Sequence, residues 1–337
     1  MTTRDHIPPI ERVAAVTERL AVLLAAGVSA SAAWGYLAAA GEVRPRSRSP
    51  ALVDVVLAAA SAAATNGSDI AAAIAAAARG GPAADSLRSR RQGRASPETD
   101  AWLTVAAAWS VAMETGAPLA GCLRELARSQ RALGQAQRDI DAALAGPRST
   151  SRLVMVLPVV GLLFGLLLGF DTIGTLFGTP AGVVCLAAAT ALMLLAWRWS
   201  AGLVHRATPR ASAPGLAIDL TAVAMTSGVS VERAMTIVES ALEVFGPADA
   251  TASRRERGAI DAVLALSRAA GVPAADLLRG EADQARRNAR SAAQQAAAAL
   301  ATRLMLPLGV CILPAFMLVG VAPLLMSVLS STVRGIG

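Results

Sequence analysis

The sequence LVMVLPVVGLLFGLLLGF, residues 153–170, contains no charged side chain. Asp171 follows it, residues 172–197 are again free of charge, and so are residues 304–333. A run of about 20 apolar residues is long enough to cross a bilayer as an α-helix. The three runs therefore predict three transmembrane helices, at residues 153–170, 180–197 and 304–329.

Positively charged side chains flank these runs asymmetrically, and the tail after the third run has only Arg334. Arg148 and Arg152 precede the first run, Arg198 follows the second, and Arg303 precedes the third, whereas the loop after the first run contains Asp171 and no basic residue. Because basic residues accumulate on the cytoplasmic side of a membrane, we expect both large polar regions in the cytoplasm and the C-terminus outside. An acid at the end of a span is a candidate functional group, although its place beside a loop favours a solvated side chain.

The two polar regions, residues 10–150 and 210–302, have the punctuation of short α-helices. Glycine suits the left-handed residue that ends one helix, and Ser, Asp or Pro suits the first positions of the next. Five such hinges occur: Gly27-Val28-Ser29, Gly67-Ser68-Asp69, Gly116-Ala117-Pro118, Gly228-Val229-Ser230 and Gly271-Val272-Pro273. The chain is therefore predicted to be an all-α membrane protein with two cytoplasmic helical bundles and three transmembrane helices.

The sequence also repeats within itself. The hinge at Gly116 matches the hinge at Gly271 at an offset of 155 residues, which also aligns Arg131 with Arg286. Upstream, the hinge at Gly27 matches that at Gly228 at an offset of 201 residues. We call residues 10–170 the first copy and residues 210–329 the second, and we expect extra helices within residues 50–97 of the first. Chance alignment of two segments rich in Ala and Arg is the alternative.

Composition argues against catalytic chemistry. All 31 basic residues are Arg, so a P-loop with its lysine cannot form. The two His and three Cys show no ligand spacing. Aromatic residues make up 3% of the chain, which leaves few stacking surfaces for bases despite a net charge of +7. We therefore expect no enzymatic activity, no cofactor, no metal site and no nucleic-acid partner.

The layout of two helical bundles with membrane spans, together with the motif Glu114-Thr115-Gly116-Ala117-Pro118-Leu119, resembles the type II secretion system F family. The similarity extends over about residues 10–330 and is greatest to the Tad/Flp branch, TadB and TadC. The second copy departs from the motif, because Ala269 stands where the first copy has Glu114. The resemblance implies a non-enzymatic, homo-oligomeric inner-membrane platform that couples a cytoplasmic secretion ATPase to the assembly of pilin or pseudopilin subunits.

Eight residues are candidate partner-binding residues: Glu114, Gly116, Arg124, Arg128, Arg131, Gly161, Gly165 and Gly169. The glutamate precedes a helix end, where a carboxylate is disfavoured by the helix dipole unless it has a partner. The three arginines suit an acidic ATPase surface or anionic lipid headgroups, and a solvated helix face is their alternative. The three glycines, spaced by four, allow close helix approach, either to a pilin or a second copy of the chain or within the chain itself.

Two other function classes compete with a platform. A small transporter would need polar side chains inside the spans to line a path, and these spans hold almost none. A membrane-anchored scaffold fits the same layout and would differ by having no connection to secretion.

Overall fold

The structure, a computed structural model, describes residues 8–42, 51–80, 96–167, 179–207, 213–247 and 250–303, together with residues 306, 308–318, 322 and 325. Every regular element in these residues is helical, which confirms the all-helical prediction. The elements are α1 (Pro9–Ala25), α2 (Ala30–Glu42), α3 (Leu52–Asn66), α4 (Ile70–Gly80), α5 (Pro97–Thr115), α6 (Leu119–Leu167), α7 (Pro180–Ala207), α8 (Leu216–Thr226), α9 (Val231–Phe245), α10 (Ala250–Ala270), α11 (Ala274–Arg303), a π-helical segment (Leu308–Ile312) and α12 (Leu313–Phe316).

The predicted glycine hinges are confirmed. The glycine of each hinge has a φ between +66° and +86°, at Gly27, Gly67, Gly116, Gly228 and Gly271. At the second and fourth hinges a side chain then caps the next helix: Asp69 Oδ1 accepts from the backbone N–H of Ala71 at 2.8 Å, and Ser230 Oγ from that of Arg233 at 3.3 Å. Three or four residues thus separate one helix from the next at each hinge, because glycine tolerates the left-handed backbone.

The central helix of the first compact unit is α5. This unit comprises Met1–Arg138 and Arg210–Ser291. Helix α5 packs against α1, α4, α8 and α9, and its side chains from Ala101 to Trp109 are all buried. A helix that is apolar on all sides belongs inside a core, and the surrounding core contains residues of both copies. The predicted bundle bounds, residues 10–150 and 210–302, remain predictions.

Helices of the second copy lie at the offsets found in the sequence. Helix α9 begins 201 residues after α2, α8 ends 201 residues after α1, and α11 begins 155 residues after α6. Helix α10 begins within two residues of the position that α5 predicts. Helices α3 and α4 have no counterpart, since only residues 246–249 separate α9 from α10.

The second compact unit comprises Asp139–Pro209 and Ala292–Gly337. Among the described residues, one helical segment is long and apolar enough to cross a membrane, Gly182–Leu203 in α7. Only 17% of it is buried, unlike the core helix of a globular domain. It overlaps the predicted span 180–197. The span at 153–170 is described only as far as the end of α6, and the span at 304–329 is described only in part, so the number of three spans remains a prediction.

Within this second unit, α7 packs against the π-helical segment and α12. The π-helical segment comes just before Pro314. Proline has no N–H to donate, and in a regular α-helix its ring would clash with the carbonyl of Val310, four residues earlier. The wider π-helical turn places that carbonyl differently. The proline therefore explains why the α-helix is interrupted here.

Candidate functional site

A partly buried charge cluster joins helices of the two copies within the first unit. The guanidinium of Arg286, on α11, bonds the carboxylate of Asp219 on α8 and lies 2.5 Å from Oδ1 of Asp283. Its Nη2 is also 3.8 Å from Oε1 of Glu125, on α6. We call these four residues the charged junction. Because three carboxylates share one guanidinium, the junction has an excess of negative charge when all groups are ionised.

The start of α8 is fixed by a glycine and a glutamate. Gly215 has φ +79°, and a Cβ added there would lie 3.0 Å from the carbonyl oxygen of Ala282 on α11. The carboxylate of Glu256 accepts hydrogen bonds from the N–H groups of Gly215 and Ala217 at 2.8 and 2.9 Å. A carboxylate is favourable at a helix N-terminus. The hydrogen bonds tie the start of α8 to α10, and the close approach at Gly215 lets α8 lie against α11, where Asp219 meets Arg286.

Burial dominates the electrostatics of the junction. Burial raises the pKa of Asp219 to about 6; Arg286 opposes the rise, and Glu125 and Asp283 add to it. Burial lowers the pKa of Arg286, but Asp219 and Asp283 outweigh this effect and the net shift is upward. Burial, followed by the charges of Asp219 and Glu125, raises the pKa of the Cys122 thiol to about 12. The thiol therefore stays protonated and unreactive while the junction is closed.

We predict that the junction makes stability depend on pH. The pKa of Asp219 is about 6 in the folded chain, above its ordinary value of 3.8, so the folded state holds this proton more tightly. The resulting stabilisation is complete below about pH 3.8 and is lost as the pH rises through about 6, with an upper limit of about 3 kcal/mol. The measurement is the thermal unfolding of the full chain in mild detergent, followed by circular dichroism between pH 4 and 7.5.

Asp219→Asn removes this titration, so its unfolding temperature should fall less than that of the wild type as the pH rises. Asp276→Asn serves as the control, since Asp276 is 71% exposed and pairs only with the neighbouring turn of its own helix. Parallel pH profiles for the wild type and Asp219→Asn would contradict the assignment of the raised pKa to Asp219.

The first copy contains the same ion pair. Arg131 Nη1 lies 2.7 Å from Oε2 of Glu18. The offset of 155 residues takes Arg131 to Arg286, and the offset of 201 residues takes Glu18 to Asp219. The pair therefore joins equivalent helices in both copies, α1 to α6 and α8 to α11. The side chains are 50% and 30% exposed in the first copy but 14% and 18% exposed in the second, so only the second pair is strongly desolvated.

The predicted residue Glu114 lies near the end of α5, and the hinge glycine Gly116 follows it with its N–H donated to the carbonyl of Ala112. Oε1 of Glu114 accepts a hydrogen bond from Nη2 of Arg233 at 3.3 Å. The two side chains are 46% and 63% exposed. The unfavourable carboxylate thus has a partner within the chain, on the first turn of α9 in the second copy.

The remaining predicted residues lie along α6. Arg128 lies 3.1 Å from Glu125, a member of the charged junction, whereas Arg124 is half-buried on the same helix. The backbone of α6 includes Gly161 and Gly165, and Gly169 lies outside the described residues. In the part of the chain that the structure describes, no group of three or more His, Cys, Asp or Glu side chains is arranged to hold a metal ion.

The structure adds Cys122, Glu125, Asp219 and Asp283 to the residues that the sequence indicated. The repeat in the sequence already aligned Arg131 with Arg286, the arginines of the two equivalent ion pairs. The offset of 201 residues also holds nine residues before Gly27, where it aligns Glu18 with Asp219, the acids of the two ion pairs. Burial of the second pair has no such signal, because it depends on the packing of α6 against α8 and α11.

Comparison with known proteins identifies a family. A sequence model described as Type II secretion system (T2SS), protein F matches residues 16–167, which run from α1 to the end of α6. No curated protein and no solved structure matches the chain. The matched region contains Glu18, Glu114 and Arg131, and it ends before the second copy begins. Residues 16–167 therefore contain a domain of the type II secretion system F family.

Proposed function

We propose that this protein is a non-enzymatic platform of the inner membrane in a type II secretion or Tad-like pilus machine. In this role it couples a cytoplasmic secretion ATPase to the assembly of pilin or pseudopilin subunits. The observation that carries the proposal is the family match over residues 16–167, which includes the first helical region and most of the first predicted span. Within this family, the proposal assigns the chain to the Tad/Flp branch, with TadB and TadC.

The connection between α6 and the charged junction supports a coupling role. Helix α6 carries Glu125 near its start and continues without a break to Leu167, inside the first predicted span. The junction ties this helix to α8 and α11 of the second copy. A force applied to either copy within the first unit would therefore reach a helix that continues toward the membrane.

The tandem repeat and the orientation belong to the same proposal. The matched helix offsets and the two equivalent ion pairs support a parallel duplication, with a return span between the copies. The arginines that flank the spans support cytoplasmic bundles and an outside C-terminus. A cysteine placed at Thr175 should then react with a membrane-impermeant maleimide on intact cells, and reaction only after lysis would contradict this orientation.

The function is tested in membranes of the native cell. Deletion of the gene should abolish pilus assembly or secretion while the amounts of ATPase and pilin stay unchanged.

The detergent-solubilised chain should co-purify with the secretion ATPase, and Glu114→Arg should reduce the amount of co-purified ATPase several-fold without affecting membrane insertion. Glu232→Arg, which reverses an exposed acid on the first turn of α9, is the control. Normal assembly in the deletion strain would contradict the proposal.

A further inference from the structure

The second copy contains a cavity. It has a volume of about 280 Å³ and lies between α8, α9 and α10. Its walls include Thr221 on α8, Met235, Val238 and Leu242 on α9, and Ile260 on α10. A cavity of about 150 Å³ already accepts a benzene ring. This open groove, as we call it, therefore has room for at least one large apolar side chain.

The equivalent positions of the first copy are filled by core side chains. At the repeat offsets, Met235 corresponds to Trp34 and Arg257 corresponds to Trp102, and both tryptophans are fully buried. Val238 likewise corresponds to Leu37, which is 7% exposed. Two large aromatic side chains are thus replaced by a flexible one and a charged one, which leaves space in the second copy.

A helical hairpin covers these positions in the first copy. Helix α3 packs on α2, α4 packs on α5, and the two pack on each other. Their buried face is composed of small and aliphatic residues and belongs to the same core as Trp34 and Trp102; its members are Leu52, Val56, Leu57, Ala60, Ala71, Ile74, Ala75 and Ala78. The second copy has only residues 246–249 at this point of the sequence, which is too few for a hairpin.

The rim of the open groove is acidic. Oε1 of Glu239 lies 3.1 Å from Nη2 of Arg257, so this pair joins α9 to α10. Glu243 lies one turn further along α9, is exposed, and lines the same groove. Within the described part of the chain, Glu243 has no ion-pair partner, so a basic side chain on an occupant would complement it.

We propose that the open groove is a docking site for an alanine-rich α-helical segment of a partner protein, with a basic residue that meets Glu243. The partner helices lie on α9 and α10 as α3 and α4 lie on α2 and α5. Such docking is the helix-in-groove mode, in which a few apolar side chains spaced by a helical turn enter the cavity. The first copy supplies its own hairpin, and the second copy takes it from another protein.

The test uses the chain's own hairpin as the probe. Residues 51–80, fused to a soluble fluorescent carrier, include both helices and the basic residue Arg79. Binding to the full detergent-solubilised chain is measured by fluorescence anisotropy. Met235→Trp, which installs the residue of the first copy, should fill the groove and weaken binding at least tenfold. Glu243→Arg, at an exposed position that does not threaten folding, should weaken it several-fold.

Leu266→Trp is the matched control, because Leu266 is 55% exposed on α10 and does not line the groove. Saturable binding that Met235→Trp and Glu243→Arg reduce and Leu266→Trp leaves unchanged supports the proposal. Absence of saturable binding, or equal binding by all variants, overturns it. A change in the oligomeric mass of the chain in Met235→Trp, measured by analytical ultracentrifugation, also overturns it, since the groove would then be an interface between copies of this chain.

Discussion

Arg286→Ala should destabilise the first unit by about 3 kcal/mol at pH 7.5, because it leaves the buried carboxylate of Asp219 without its cation. Loss of one partner of a buried ion pair costs more than the pair contributes, since the remaining charge stays desolvated. The same substitution should cost less at pH 5, where Asp219 is largely protonated and needs no counter-charge. Thermal unfolding of the full chain at both pH values measures the difference.

The equivalent substitution in the first copy is the control for this prediction. Arg131→Ala breaks the Glu18 pair, whose side chains are 50% and 30% exposed, and exposed pairs contribute about 0–1 kcal/mol. Opening of the junction can also be followed through Cys122, in a chain whose other two cysteines are replaced by serine. Maleimide should label this buried thiol faster in Arg286→Ala than in Arg131→Ala. Equal losses of stability in both variants would mean that burial does not distinguish the two pairs.

Trp34→Ala should strongly destabilise the first copy, with a loss of about 4 kcal/mol. The side chain is fully buried, and its ring lies 5.6 Å from that of Trp109 at an interplanar angle of 53°. Removal of the indole would leave a cavity beneath the hairpin of α3 and α4 and would break the aromatic pair. Chemical or thermal unfolding of the purified chain measures the loss.

Two controls separate this effect from a general sensitivity of α2. Tyr36→Ala removes a side chain that is 63% exposed on the same helix, and we expect a change within about 0.5 kcal/mol. Met235→Ala truncates the residue that corresponds to Trp34 in the second copy, and it should cost no more than about 1 kcal/mol because Met235 borders an open cavity. A loss at Met235 as large as that at Trp34 would contradict the difference in packing between the copies.

Both predictions depend on the difference in burial between the two copies. In the first copy, the ion pair is only half-buried, and a hairpin covers the positions that correspond to the groove. In the second copy, the ion pair is buried and the groove is open. The copies therefore differ in what they offer to the surroundings: the second presents an apolar groove with an acidic rim, and the first presents the exposed faces of α3 and α4.

The sequence alone determined the features that depend on a few neighbouring residues. The left-handed glycines at Gly67 and Gly271 and the Ser230 cap were predictable, because each is a property of a short segment and its backbone geometry. The repeat offsets and the position of the insertion could also be found by comparing the chain with itself. The family followed from the same layout together with the motif at Glu114.

Only the tertiary structure decided which side chains lie in contact and which of them are buried. The Glu114 partner, Arg233, lies 119 positions away, and Asp219 lies 67 positions from Arg286. No local pattern shows that Asp219 is more deeply buried than the equivalent Glu18, or that the place of Trp34 is open in the second copy. Burial is set by helices that are distant in the sequence and pack around a residue, so it appears only once the chain has folded.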